Sequence, residues 1–215
     1  MNKRLLLLPI FGGLLLTGCK INLFGKTIYL FEKEPTEDTT PFKGLSFDCA
    51  KLEAAAEAAD PDGRGYAKYS SVSELDGVPV SFNNVMANHL DESSLPKWTV
   101  PEGETGDVIQ FKKNESDQGG TIVVTGMIKK ITLKIYSSYE FSVPTVSVDG
   151  KDIASPTSPT STEDTEYAQW NSSGTKSYAV KLYTCEYAVN LKAVKDVQIK
   201  NTSSYALYCH SFNLK

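Results

Sequence analysis

Residues 107–136 read DVIQFKKNESDQGGTIVVTGMIKKITLKIY, and this stretch decides the fold. Residues 107–112 (DVIQFK) make one short strand. A polar turn follows, and residues 120–125 (GTIVVT) make a second. Then Ile131, Leu133 and Ile135 alternate strictly with Thr132 and Lys134, the period of a half-buried strand. Three strands joined by short turns within thirty residues point to an antiparallel meander.

The pattern extends both ways. Downstream, Val146 and Val148 alternate and end at Asp149-Gly150, a hairpin turn signal. Tyr178, Val180 and Leu182 mark another strand, Val197 and Ile199 the next, and residues 205–214 close the chain. Residues 154–165 hold nine Ser, Thr or Pro in twelve and predict a mobile loop. Upstream, Val78, Val80 and Phe82 alternate, and residues 43–48 (KGLSFD) form a first strand with Leu45 and Phe47 on one face. Between them lies one helical stretch. Asp48 is placed to cap a helix over residues 50–59, which contains six alanines with Leu52, Glu53 and Glu57. Asp60-Pro61-Asp62-Gly63 ends it. The aspartates do not make an EF-hand, because Arg64 stands at the fifth loop position and Ser71 at the twelfth, where ligands belong. About nine short strands and one short Ala-rich helix predict an all-β, antiparallel sandwich. The β-α-β alternation of a nucleotide-binding sheet is missing, and Gly103-Glu104-Thr105-Gly106 lacks the Lys and the strand–helix setting of a P-loop.

Composition bounds the function. The chain has 215 residues, 40% hydrophobic and 22% charged, enough for a folded core. Lys plus Arg is 22 against 26 Asp plus Glu, so no basic surplus remains for nucleic acid. Two histidines and four cysteines leave little for a metal cluster, and no C-x-x-C points to zinc, so neither metal nor cofactor is expected.

The N-terminus carries an address. Lys3 and Arg4 precede residues 5–16 (LLLLPIFGGLLL), an uncharged run too short to cross a bilayer and broken by Pro9, Gly12 and Gly13. A basic start before a short apolar run is the export-signal pattern. Leu16-Thr17-Gly18-Cys19 resembles the lipobox of bacterial lipoproteins: an aliphatic residue, two small residues, then cysteine. The small residues admit the peptidase. The Cys19 thiol becomes the thioether to diacylglycerol, and further acylation, as by palmitate, gives two or three chains that anchor stably. The resemblance implies a signal peptide over 1–18, a lipidated Cys19 and a bilayer as partner. Removing Lys3 and Arg4 lowers the basic count from 22 to 20 against 26 acidic groups, a net charge of −6. Lys20 stands where an Asp often marks inner-membrane retention. Residues 20–31 are apolar enough for a short strand or hairpin, or for a sticky stretch beside the membrane. Residues 32–40 (EKEPTEDTT) read as a solvated linker. The expected organisation is therefore 1–18 signal peptide, 19–41 lipidated Cys19 and tether, and 42–215 β domain.

Five segments in chain order carry a second resemblance: LDGVPVSFNN, the stretch quoted first above with Gly106 before it, VSVDGKD, QWNSSGTKSYAVKLY and VKDVQIKN. In this order they look like a jelly-roll β-sandwich module found in surface and secreted proteins of Bacteroidetes and Firmicutes. That module is similar in architecture to galactose-binding and carbohydrate-binding modules. It implies a fold and an extracellular habitat, and no fixed ligand site. The Ala-rich helix departs from it. If the first and last strands are neighbours, as often in a jelly roll, Cys49 comes near Cys209 and a disulfide is open to them. If Cys49 opens the helix instead, Cys49, Cys185 and Cys209 stay free buried thiols.

Candidate chemistry is sparse. His89 sits in a loop-like stretch, and His210 lies in the last strand in register with Tyr208, Phe212 and Leu214. No G-x-S-x-G elbow occurs, and Asp91 and Glu92 read as solvated carboxylates, so no enzyme is expected. Aromatic residues are the better candidates, because a sugar's C–H face stacks on an aromatic plane. Trp98, in Leu95-Pro96-Lys97-Trp98-Thr99, is a ligand platform or a core plug. Tyr66 and Tyr69 flank a Gly-rich turn, and Trp170 reads as core. The expected function is an exported, lipid-anchored binding module for extracellular glycan. The alternative is an envelope or adhesion module that binds protein and has no small-molecule site.

Overall fold

The computed structural model describes residues 19–23, 26–30, 38, 40–91, 93, 97–100, 105–137, 142–154, 156–161, 168–171 and 177–215; at 19–23, 26–30, 97–99, 154, 157–161, 168–171 and 177–179 it describes backbone only. The chain forms two compact units, Met1–Glu37 and Asp38–Lys215. In the first, β1 (Cys19–Leu23) and β2 (Lys26–Leu30) pair as an antiparallel hairpin.

The second unit opens with β3 (Leu45–Asp48), α1 (Cys49–Ala59) and α2 (Gly65–Ser70). Next come β4 (Glu74–Leu75), β5 (Val78–Asn83), β6 (Val85–His89), β7 (Lys97–Thr99), β8 (Asp107–Phe111), β9 (Thr121–Gly126) and β10 (Lys130–Ser137). The rest is β11 (Thr145–Val148), β12 (Lys151–Ala154), β13 (Thr157–Ser161), β14 (Ala168–Asn171), β15 (Ser177–Ala188), β16 (Lys195–Lys200) and β17 (Leu207–Leu214). The unit is mostly β, in two antiparallel sheets. One runs β6-β8-β17-β10-β15-β14-β7, with β3 also on β17 and β13 also on β15; the other runs β12-β11-β16-β9-β5-β4. The described residues of this unit thus hold more strands than the nine expected; the additional ones, β4, β6, β7, β12, β13 and β14, are all of two to five residues, too short for a clear alternation. Part of the 154–165 stretch is β13, ordered by pairing with β15.

The two sheets share one core. Phe47 of β3 stacks on Phe212 of β17 at 4.9 Å and meets Phe82 of β5, in the other sheet, edge-on at 6.0 Å. Ile131, Leu133 and Ile135 all face this core, with Leu133 fully buried. Local chemistry sets the turns. Asp149-Gly150 and Asp76-Gly77 both take positive φ and close two-residue hairpins, the geometry that Asp-Gly adopts at low strain.

Asp48 caps α1, its carboxylate accepting from the Lys51 N–H at 2.9 Å. Cys49, Leu52 and Ala56 recur at helical spacing and bury one face of α1 in the core. Asp60-Pro61-Asp62-Gly63 makes the expected turn, Gly63 N–H donating to Asp60 O at 3.2 Å, and Gly65–Ser70 just behind it, with Tyr66 and Tyr69, is a second helix. α2 packs on α1, β5 and β6, so the helical pair lies between the two sheets along one side. Ion pairs from Lys68 to Glu57 and from Lys51 to Asp76 tie the helices at the surface.

The last strand breaks its expected alternation. Between the pairs Lys134–Ser211 and Ile135–Cys209 the register shifts, and His210 is the extra residue. The bulge turns His210 outward and moves Tyr208 out of the main core into a second cluster with Leu90, Val108 and Val180.

Candidate functional site

A cluster of chemically capable side chains lies where α1 meets the ends of β6 and β8. His89 closes β6, so it sits on a strand rather than in a loop, and Asp107 directly opposite opens β8. Facing residues of an antiparallel ladder hold their Cβ atoms about 5 Å apart. His89 Nδ1 meets Asp107 Oδ1 at 2.6 Å. On its other side, His89 Nε2 is 3.3 Å from each Glu53 carboxylate oxygen. Glu53 lies one turn along α1 from Cys49, on the same helix face. The Cys49 sulfur, a His89 ring nitrogen and an Asp107 carboxylate oxygen all lie within 4.8 Å of one another.

Backbone geometry fixes this placement. Just beyond the His89–Asp107 pair, Leu90 N–H donates to Gly106 O at 2.9 Å. A Cβ on Gly106 would stand 1.7 Å from Leu90 O, so only glycine lets the two strand ends close here. Cys49 is 2% exposed. Its thiol donates to Asn88 O at 3.7 Å. A polar chain continues from there: Asn88 Nδ2 donates to Gln110 Oε1 at 2.6 Å, and Gln110 Nε2 donates to the Tyr66 hydroxyl at 3.2 Å.

The charges follow from the contacts. The hydrogen bond to the Asp107 carboxylate, helped by Glu53, raises the His89 pKa from its ordinary value against the effect of burial. The same bond from His89, with one from Thr105, holds Asp107 below the ordinary carboxylate value. Burial pushes the Cys49 thiol up to about 11, and Asp107 and Glu53 push the same way. Both His89 ring nitrogens face carboxylates and the Cys49 thiol donates to Asn88 O, so the imidazole is not placed as a base for this thiol. Burial and the two carboxylates keep the proton on the thiol, so a thiolate at Cys49 needs a bound cation to stabilise it.

The residues singled out from the sequence do not form one site. Tyr69 is buried in the core at 7% exposure, where it cannot serve as a stacking platform. Tyr66 is half-buried and joined to Gln110, and burial raises its hydroxyl pKa. Trp98 lies on β7, directly opposite Trp170 of β14; their side chains, like that of Cys19, lie outside the described ones. Glu92 is also outside, while Asp91 accepts from Ser93 N–H and Oγ. No disulfide joins Cys49 to Cys209; these and Cys185 are free and buried. β3 and β17 are indeed neighbours, but the chain turns into α1 after Asp48, which pairs with Ser211. Cys49 therefore leaves the sheet, while Cys209 sits opposite Ile109 and Ile135.

The Cys49–His89–Asp107 cluster has no sequence signature. His89 and Asp107 are 18 positions apart, Glu53 and His89 are 36 apart, and no short motif spans them. No known family matches this chain. No curated protein and no solved structure is significantly similar to it either.

Proposed function

We propose that this chain is an exported lipoprotein, anchored by acylated Cys19, whose β domain is a non-catalytic jelly-roll binding module for an extracellular glycan. The observation that carries the anchor is Leu16-Thr17-Gly18-Cys19 directly behind an apolar run too short to span a bilayer. Among the described residues no helix is long and apolar enough to cross a membrane. The antiparallel pairing of β3 with β17 supports the jelly-roll reading, in which first and last strands lie side by side. The glycan reading rests on Trp98 and Trp170, which occupy facing positions on β7 and β14 at one end of the larger sheet. Two aromatic positions side by side suit stacking against a sugar.

Two measurements test this. Cys19→Ala should move the protein from the detergent phase to the aqueous phase; retention in detergent would mean that residues 5–16 anchor it uncleaved. On a glycan array the chain should bind a defined set of sugars, and Trp98→Ala should weaken that binding by about 1–3 kcal/mol, the range of aromatic stacking on nucleic-acid bases. Binding to no glycan, or unchanged binding in Trp98→Ala, would remove the glycan reading and leave a protein-binding envelope module.

A further inference from the structure

We infer that Cys49, His89 and Asp107 form a binding site for a divalent cation of the zinc class, with Glu53 orienting the imidazole and one coordination position open to solvent. The donor set carries the argument. A His–Asp contact alone is a common surface ion pair, but here a buried sulfur stands within 4.8 Å of both partners. Tetrahedral zinc with sulfur at about 2.3 Å and nitrogen or oxygen at about 2.0–2.2 Å sets its ligand atoms roughly 3.3–3.6 Å apart. The 2.6 Å contact of His89 with Asp107 would then open by less than about 1 Å, within the reach of small side-chain rotations. Sulfur and imidazole select against calcium and magnesium, which take oxygen ligands, and favour zinc or cobalt(II).

The surroundings fit the same ion. A metal-bound histidine characteristically gives its other ring N–H to a carboxylate. Glu53 occupies that place on Nε2, leaving Nδ1 for the metal beside Asp107. His89 and Asp107 are fixed by the ladder of β6 and β8, and Cys49 by the first turn of α1. The sulfur lies at the floor, while the His89 side chain is 57% exposed, so the fourth position faces water. The cation would take the place of the thiol proton, and its charge would stabilise the thiolate at the α1 N-terminus.

The test uses the full chain in detergent with cobalt(II) alone, then zinc alone. Cobalt(II) should give the strong visible bands of a tetrahedral site and a thiolate-to-metal charge-transfer band, and about one equivalent of zinc should abolish both. Cys19→Ser should change nothing. Cys49→Ser should lose the charge-transfer band. His89→Gln and Asp107→Asn sit at the exposed rim, leave the core intact, and should weaken zinc binding by more than Glu53→Gln, which should weaken it about 10–100-fold. A weak octahedral cobalt spectrum without charge transfer would overturn the site. So would zinc affinity unchanged in His89→Gln and Asp107→Asn with an unaltered far-ultraviolet spectrum.

Discussion

Replacing Asn201 probes the joint between the two loops at one end of the β body. Asn201 is fully buried in the turn between β16 and β17. Its amide donates to Lys112 O at 3.0 Å and to Tyr205 O at 2.8 Å, and its oxygen accepts from Ser203 N–H at 2.9 Å. Its own N–H donates to Gly120 O, so the turn is pinned to the loop that joins β8 to β9. Asn201→Ala deletes the three side-chain bonds. Each is worth about 1 kcal/mol net, and a partner left buried and unpaired costs about 1–3 kcal/mol. Tyr205 is exposed, and Lys112 and Ser203 are half-buried, so water can re-satisfy part of this. The expected loss is about 3 kcal/mol. Asn201→Asp keeps the shape but points a carboxylate at two carbonyls. It should cost more than alanine at pH 7, because an unpaired buried charge costs several kcal/mol. Its folded-state pKa would be raised above the unfolded value, so the variant should regain stability as the pH falls and the protonated acid can donate one bond. Urea unfolding of both variants at pH 7 and at pH 5 reads these differences. Asn201→Ala within about 0.5 kcal/mol of the parent at unchanged urea sensitivity, or an aspartate variant no worse than alanine, would refute the reasoning.

Three further outcomes are expected. Leu133→Ala should cost about 2–5 kcal/mol in urea melts, since Leu133 is fully buried between β15 and β17; a neutral effect would place it off the core face. Gly106→Ala should cost about 1–3 kcal/mol, because its Cβ meets the Leu90 carbonyl; an unchanged melting temperature would show that the strand ends part freely. Cys49, Cys185 and Cys209 should resist a thiol reagent at pH 8 until the chain unfolds, since burial pushes Cys49 to about 11, Cys185 to about 12 and Cys209 higher still; fast native labelling at any of them would contradict the burial.

The strands and α1 were legible because their signals are local. Alternation at Ile131, Leu133 and Ile135 needs only the pleat, and the Asp48 cap needs only the next three residues. Asp149-Gly150 states its own turn. The α2 helix was missed because six residues with a glycine at the start hold together by packing on α1, β5 and β6, which no local propensity records. Tyr69 read as a surface aromatic for the same reason.

By itself the sequence determined the mostly-β character, the position of the capped helix, the net acidity and the lipobox-like Leu16-Thr17-Gly18-Cys19 segment, since each is a property of neighbours along the chain. Only the tertiary structure decided which of those neighbours meet. The bulge that turns His210 outward depends on how β17 pairs with β10, and Asn201 links its own turn to the β8–β9 loop because Lys112 and Gly120 reach it. Cys49, Glu53, His89 and Asp107 converge because α1 packs on the ends of β6 and β8. Ladder register and helix packing set those distances, and neither leaves a fixed spacing in the sequence.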